Sequence, residues 1–307
     1  MKSFLLVDGH ALIHRAYHAI PPFKTKAGFP TNAIYGFLTI LNKTITDFTP
    51  EYLIVCFDTP KPTFRNKLFK DYQIKRPKAE DNLIIQVPEI KKILKSGRVL
   101  FLEKEGFEAD DILGFIVHKV TNPDIKKIIL TGDKDILQLV DSTTFVLTPQ
   151  IGFGKSKLYD EREVENKLNV KPSQVPDYKS LAGDPSDNYI GAKGIGPKTA
   201  SDLIRQFETL ENLYKNIDEI KNTKTKEILK KNKDMILMAK KLALIEKNIN
   251  LKFNLGDAKF SRFDEKMKKD LMRLEMRSLT TRLFDQSSNR SNNIEKSVKK
   301  EDQIELF

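Results

Sequence analysis

The chain has a single cysteine, Cys56, among its 307 residues. A lone cysteine inside an apolar run cannot build a disulfide framework, which points to a reducing compartment such as the cytoplasm. Long apolar runs are also missing. The apolar stretch at residues 4–7 is too short for the centre of a signal peptide, and no run approaches the length of a membrane span. Hydrophobic residues make up only 39% of the chain, low for a globular protein, while charged residues reach 31%. No internal repeat is present. The length nevertheless suffices to bury a sizeable core, in one large domain or two.

What is present is a basic excess, a formal net charge of +11 and a pI near 9.4. Set against it are nine acidic residues in five short blocks with apolar flanks. Asp8 ends SFLLVDG and Asp58 ends YLIVCFD; Glu108, Asp110 and Asp111 lie in GFEADD. Asp133 and Asp135 lie in KIILTGDKD, Asp184 and Asp187 in LAGDPSDN. Carboxylates at the ends of apolar strands are costly to bury, and mutual repulsion raises their pKa values. A pair of divalent cations removes both costs, and all-carboxylate ligation selects hard Mg2+, with Mn2+ able to substitute. A metal-loaded acidic hole in a basic protein fits an enzyme acting on nucleic-acid phosphodiesters. Single blocks carry less weight: acids in a first helical turn favour the helix dipole without any metal. His10, His14 and His18 follow Asp8 at helical spacing. They are read as core or DNA-backbone contacts, and none is placed as a general base.

Residues 1–150 alternate strand-like and helix-like segments. Candidate strands are 3–8, 52–58, 98–103, 127–131 and 143–148; helical patterns lie at about 32–47, 86–95 and 109–121. This predicts an α/β fold with a mainly parallel central sheet flanked by helices. Ligand sites in such sheets lie at the carboxyl ends of the strands, so the acids are expected to meet at one rim. Residues 60–82 interrupt the alternation with a basic connection carrying Phe64, Phe69 and Tyr72, a pattern suited to single-stranded nucleic acid. From about 160 the chain turns helical, with helices near 160–168, 173–182, 198–207, 209–216, 223–246 and 264–276. Residues 215–250 hold ten lysines against five acids. Residues 286–302 are read as disordered from their Ser, Asn and Lys content.

GAKGIGPKTASDLIRQF, residues 191–207, is the second strong signal. Gly194 and Gly196 let a backbone approach a phosphate, Pro197 opens a helix, and the free N–H groups with Lys198 favour an anion. This looks like a helix-hairpin-helix element, a sequence-independent grip on duplex backbone.

The ordered set VDG, VCFD, TFR with the tyrosine-to-arginine spacing of residues 72–76, GFEADD, TGDKD, GDPSDN and GAKGIGPKTA closely resembles the 5′ nuclease domain of bacterial DNA polymerase I and the wider flap endonuclease family. The resemblance covers roughly residues 3–285. It implies a catalytic core over 1–160 with a helical arch at about 60–82. It also implies a helical DNA-binding region over 161–285, with the helix-three-turn-helix clamp at about 176–207. It implies metal-dependent cleavage at 5′ flaps, nicks and 5′ ends in replication and repair, on DNA or RNA-DNA primers. By position, Asp8, Asp58, Glu108 and Asp110 resemble the first-metal group. Asp133, Asp135 and Asp187 resemble the second, with Asp110 or Asp111 near both and Asp184 acting through water. Arg76 matches an arch residue facing the scissile phosphate, and Tyr72 an aromatic that stacks on a base. Gln73 stands where the family often has lysine, and Lys75 is a substitute for that charge. Arg65, Gly194, Gly196, Lys198 and Thr199 are carried over as DNA contacts.

The implied mechanism is two-metal hydrolysis, by a monomer in the cytoplasm near the nucleoid, with no membrane. A short ribonuclease of the related PIN type is the enzymatic rival, and the hairpin argues against it. A catalytically weak or dead structure-specific DNA-binding protein is the other alternative, and the intact acids argue against that. The last five residues, QIELF, resemble a bacterial sliding-clamp peptide, with Gln303 as a hydrogen-bonding amide and Ile304, Leu306 and Phe307 as apolar anchors. No polymerase segment is found, so the expectation is a stand-alone nuclease or a piece of a longer polymerase.

Overall fold

The computed structural model describes residues 2–149 and 156–284. Six strands form one sheet: β1 (Lys2–Asp8), β2 (Tyr52–Phe57), β3 (Leu100–Glu103), β4 (Ile125–Leu130), β5 (Thr144–Thr148) and β6 (Lys157–Tyr159). Their order is β3-β2-β1-β4-β5-β6. The first five are parallel, and β6 adds antiparallel to β5. The five parallel strands are those expected from the apolar runs. The three-residue β6 has too little sequence for a periodicity, and its pairing with β5 is what makes it a strand.

The apolar runs are continuous because both faces of the sheet are covered. Alternate side chains enter two cores. Phe4, Leu6, Ile54, Cys56 and Ile129 pack with the Ala109–Lys119 helix and most of the later helices. Leu5, Val7, Leu53, Val55 and Leu130 pack with the helices Gly9–Ala19, Asn32–Phe48 and Gln86–Ser96. Residues 260–284 return to this second face through Phe260, Phe263, Met267, Leu271 and Leu279. They thus close over the N-terminal half of the chain and leave the other late helices on the opposite face.

Two expected helices differ. The pattern at 223–246 resolves into Thr223–Lys231 and Lys233–Ala243, broken at Asn232. The Asn232 side-chain amide donates to the Ile228 carbonyl at 2.7 Å, the local bond by which asparagine competes with a helix. The segment at 60–82 is not a long helix. It holds a five-residue helix, Phe64–Leu68, then turns, then the start of a short helix at Asp81.

The chain leaves β1 toward β2 on one side and later reaches β4 on the other. A strand order that reverses in this way leaves a crevice at the carboxyl ends, beside β1. Gly9 follows Asp8 there because a Cβ would lie 2.4 Å from the Phe57 ring and 2.9 Å from the Cys56 carbonyl oxygen.

Candidate active site

The crevice is a cavity of about 640 Å3 lined by Asp8, Asp58, Glu108, Asp110, Asp133, Asp135 and Asp187. His10, His14, His18, Arg76 and Lys78 also line it. Asp8, the last residue of β1, caps the next helix: its Oδ1 accepts from the Ala11 N–H at 3.0 Å and its Oδ2 from the Thr131 hydroxyl at 2.8 Å. Asp58 follows β2 and accepts from the Ala109 N–H at 2.7 Å, which ties the strand end to the start of the Ala109–Lys119 helix. The Asp58 N–H donates to His10 Nδ1 at 3.0 Å, so that nitrogen carries no proton. Burial lowers the His10 pKa, against the pull of Asp58. His10 is thus a hydrogen-bonding residue of the cavity wall, tied to the Asp58 backbone.

Glu108 accepts from Arg65 at 3.1 Å, from Thr63 at 3.3 Å and from the Tyr72 hydroxyl at 3.3 Å. Asp133 Oδ1 accepts from the Asp135 N–H at 2.8 Å, in the turn after β4. Asp184 and Asp187 sit on a closed loop, pinned by a bridge between Asp184 and Tyr189. Gly183, at φ +78°, and Gly191 let that loop close: a Cβ on Gly191 would lie 2.3 Å from the Leu181 carbonyl oxygen. Oxygens of Asp135, Asp184 and Asp187 lie within 4.8 Å of one another.

The electrostatics are those of crowded acids. Burial, then Asp58, raises the Asp8 carboxyl to about 7. Burial raises Glu108 to about 7 although Arg65 opposes it. Burial followed by Asp133 and Asp8 holds Asp110 well above the usual carboxylate range. Asp133 and Asp187 are raised too, again mainly by burial. Asp184 is the exception: burial pushes it up, but Lys179 and Ser186 outweigh burial and lower it. An all-oxygen donor set that resists ionisation fits hard divalent cations. Asp8, Asp58, Glu108 and Asp110 could hold one, and Asp133, Asp135 and Asp187 a second.

Four sequence expectations are corrected here. Asp111 lies outside the cavity lining and is 0% exposed. Both its oxygens are taken by the Arg65 guanidinium at 2.8 Å, and by the N–H groups of Glu108 and Glu246. Arg65 borders the cavity but is 2% exposed and also donates to the Leu242 and Leu244 carbonyls, so its guanidinium is committed to tying core elements together. Tyr72 lines the cavity but is 4% exposed, with its hydroxyl donating to Asp187 at 3.2 Å, so in this arrangement it supports the acids instead of presenting an open ring face. Lys75 is exposed but outside the cavity lining, and Gln73 takes the inward position: its amide donates to Asp187 Oδ1 at 2.9 Å. Gln73 adopts φ +56°, and its N–H donates to the Asp187 carbonyl. The connection at 60–82 thus lies down on the acid cluster.

Arg76 lines the cavity, about half exposed, 3.5 Å from Asp187. Asp184 lies outside the lining. In the hairpin, Gly194 has φ +103°, Gly196 caps the Pro197–Phe207 helix, and Gly194, Gly196, Lys198 and Thr199 are exposed while Ile195 anchors the turn in the core. Lys179 was not anticipated. Its ammonium pairs with Asp135 and lies 2.5 Å from Asp184. The signal was its place five residues before Asp184, on a helix whose Val175, Ser180 and Leu181 are buried. The residues 286–307, with the clamp-like Gln303, Ile304, Leu306 and Phe307, lie outside the described residues.

A sheet of this order with a carboxylate crevice at its switch point defines a PIN-like fold. A family model of the 5′-3′ exonuclease N-terminal resolvase-like domain matches residues 3–169, and one of the 5′-3′ exonuclease C-terminal SAM fold matches residues 170–266. The chain therefore belongs to the 5′-3′ exonuclease family. It is 37% identical to the 5′-3′ exonuclease of Aquifex aeolicus over 95% of this chain and 99% of that protein. It is also 37% identical to the DNA polymerase I of Caldicellulosiruptor bescii over 92% of this chain, but spans only 33% of that protein. The solved structure of T5 5′-exonuclease with divalent zinc ions superposes with a TM-score of 0.67 at 19% identity, covering 91% of this chain and 100% of that one, which shows the shared fold. Among the described residues no helix is long and apolar enough to cross a membrane.

Proposed function

We propose that the chain is a divalent-metal-dependent 5′-3′ exonuclease and 5′ flap endonuclease that hydrolyses DNA phosphodiester bonds. The observation that carries this reading is the seven carboxylates meeting in one cavity at the carboxyl ends of β1, β2 and β4, in a chain of this family. Asp8, Asp58, Glu108 and Asp110 would hold one cation and Asp133, Asp135 and Asp187 a second, Mg2+ by the hardness of the donors, and the pair would supply Lewis acidity toward the attacking water and the departing 3′ oxygen.

The protein residues do the rest. Thr131 and the Ala11 N–H hold both oxygens of Asp8, and the Ala109 N–H holds Asp58, so these carboxylates need little reorganisation. Arg76, half exposed in the cavity, is placed to meet the reacting phosphate. Tyr72 and Gln73 orient Glu108 and Asp187. Exposed Gly194, Gly196, Lys198 and Thr199 fit a grip on duplex phosphates. The core at 1–160 would then cut, and the helical region at 161–285 would hold the duplex. Substrates would be 5′ ends, nicks and flaps, including RNA-DNA primers, met by a monomer in the cytoplasm. The terminal Gln303–Phe307 would recruit a bacterial sliding clamp.

The test is cleavage of matched labelled flap, nick, duplex-end and single-strand substrates in Mg2+ and in EDTA, with Asp110→Asn alongside. Cleavage by the unaltered chain only with metal, and its loss in Asp110→Asn with DNA binding kept or tightened, is the expected result. Near-normal turnover of Asp110→Asn would overturn the two-metal assignment. Binding without cleavage under any divalent cation would favour the inactive DNA-binding alternative.

A further inference from the structure

We infer that Lys179 stands in for the second cation: its ammonium holds Asp135 and Asp184 together in the metal-free chain and competes with a divalent ion for them. This rests on the reading of Asp133, Asp135 and Asp187 as the second metal group.

The geometry is direct. Lys179 lies on the Val175–Ala182 helix, and its side chain is 13% exposed. Its ammonium is ion-paired with Asp135 and stands 2.5 Å from Asp184 Oδ2. It therefore occupies one edge of the group in which oxygens of Asp135, Asp184 and Asp187 gather within 4.8 Å.

Three carboxylates this close repel each other when no cation is present. A lysine answers that repulsion better than an arginine does. Its charge is compact, and its four-carbon stem can withdraw by rotating, whereas a guanidinium is a rigid fork that commits to one carboxylate. The exchange is of one positive charge for two, so a divalent ion wins at sufficient concentration. Until then the loop carrying Asp184 and Asp187 stays attached to the turn carrying Asp135. The device keeps the site assembled without metal, at the expense of affinity for the second ion.

The ammonium and a divalent ion compete for the same carboxylate oxygens, so removing the ammonium should raise cation affinity. The experiment counts Mn2+ bound to the full chain, by the paramagnetic resonance of the free ion and by calorimetry, for the unaltered protein and Lys179→Met. The methionine keeps a flexible apolar stem and loses the charge. The weaker of two Mn2+ sites should tighten at least about tenfold. In EDTA the variant should melt below the unaltered chain, and saturating Mn2+ should close that gap. Lys179→Gln, which keeps a donor, should show the same direction and serves where the methionine variant fails to fold. Two sites with the weaker one unchanged or weakened would overturn the inference alone, because Lys179 would then support the ion. One site or none in the unaltered chain would overturn the second-metal reading, and the inference with it.

Discussion

At the scale of single residues, the same chemistry serves two ends a few ångströms apart. Asp110 and Asp111 are neighbours on one helical turn, yet Asp110 lines the cavity and Asp111 is fully buried against Arg65. One residue of helix rotates a side chain by about 100°, enough to move a carboxylate from the site to the core. The sequence made both acids visible as a pair and could not assign the two directions. It likewise showed Arg65 and Tyr72 as members of a basic and aromatic stretch, whereas their burial depends on partners far along the chain, Leu242, Leu244 and Asp187. Arg65→Ala should therefore act on stability before it acts on DNA. It leaves Asp111 buried without its partner, a change that typically costs about 3–5 kcal/mol. Urea denaturation should show a loss of that size, and Arg65→Lys, which cannot reproduce the bidentate pair, should recover only part of it. Unchanged stability with weakened DNA binding would return Arg65 to the surface role expected from the sequence.

At the scale of elements, the five parallel strands were legible because each is a continuous apolar run, and their carboxyl ends located the acids. The connection at 60–82 was legible as an interruption, but not as a segment folded onto Asp187. Its turns are fixed by tertiary hydrogen bonds from Gln73 and from the Asn188 side chain to the Asp71 carbonyl. The hairpin was legible because glycine and proline leave little choice of backbone, and the exposed Gly194 and Gly196 agree with that reading. Lys198 belongs to this element and stands apart from the cavity lining. Lys198→Ala should weaken binding to all duplex sequences about equally and reduce the slope of log affinity against log salt by roughly 1. Turnover at saturating substrate should stay near that of the unaltered chain. A loss confined to particular sequences, read from binding isotherms on several duplexes, would show that the hairpin contacts bases.

At the scale of the whole molecule, a chain of net charge +11 folds around a hole of carboxylates. That arrangement makes its metal-free stability depend on pH in an unusual direction. Asp8 and Glu108 are each raised to about 7, and Asp110, Asp133 and Asp187 are raised as well. In the unfolded chain such groups ionise near 4. Between those values the folded state binds more protons than the unfolded state, so stability falls as pH rises, and it is lost through the folded pKa values. His10 and His14 act oppositely: burial lowers them, so below about 6.5 their uncharged forms favour folding as pH rises. Asp184 is lowered, and its contribution is lost only on acidification below about 4, outside this window. The acids therefore dominate above about pH 6.5. In EDTA the melting temperature should decline from about pH 6.5 to 8, where many proteins are near their stability maximum. Saturating Mg2+ should flatten or reverse that decline, because a bound cation compensates the ionised carboxylates and binds the folded state alone. Scanning calorimetry at four pH values, with and without the ion, reads both arms. A melting temperature in EDTA that climbs steadily to pH 8 would mean that the lysine, the arginines and the backbone donors already neutralise the rim without any metal.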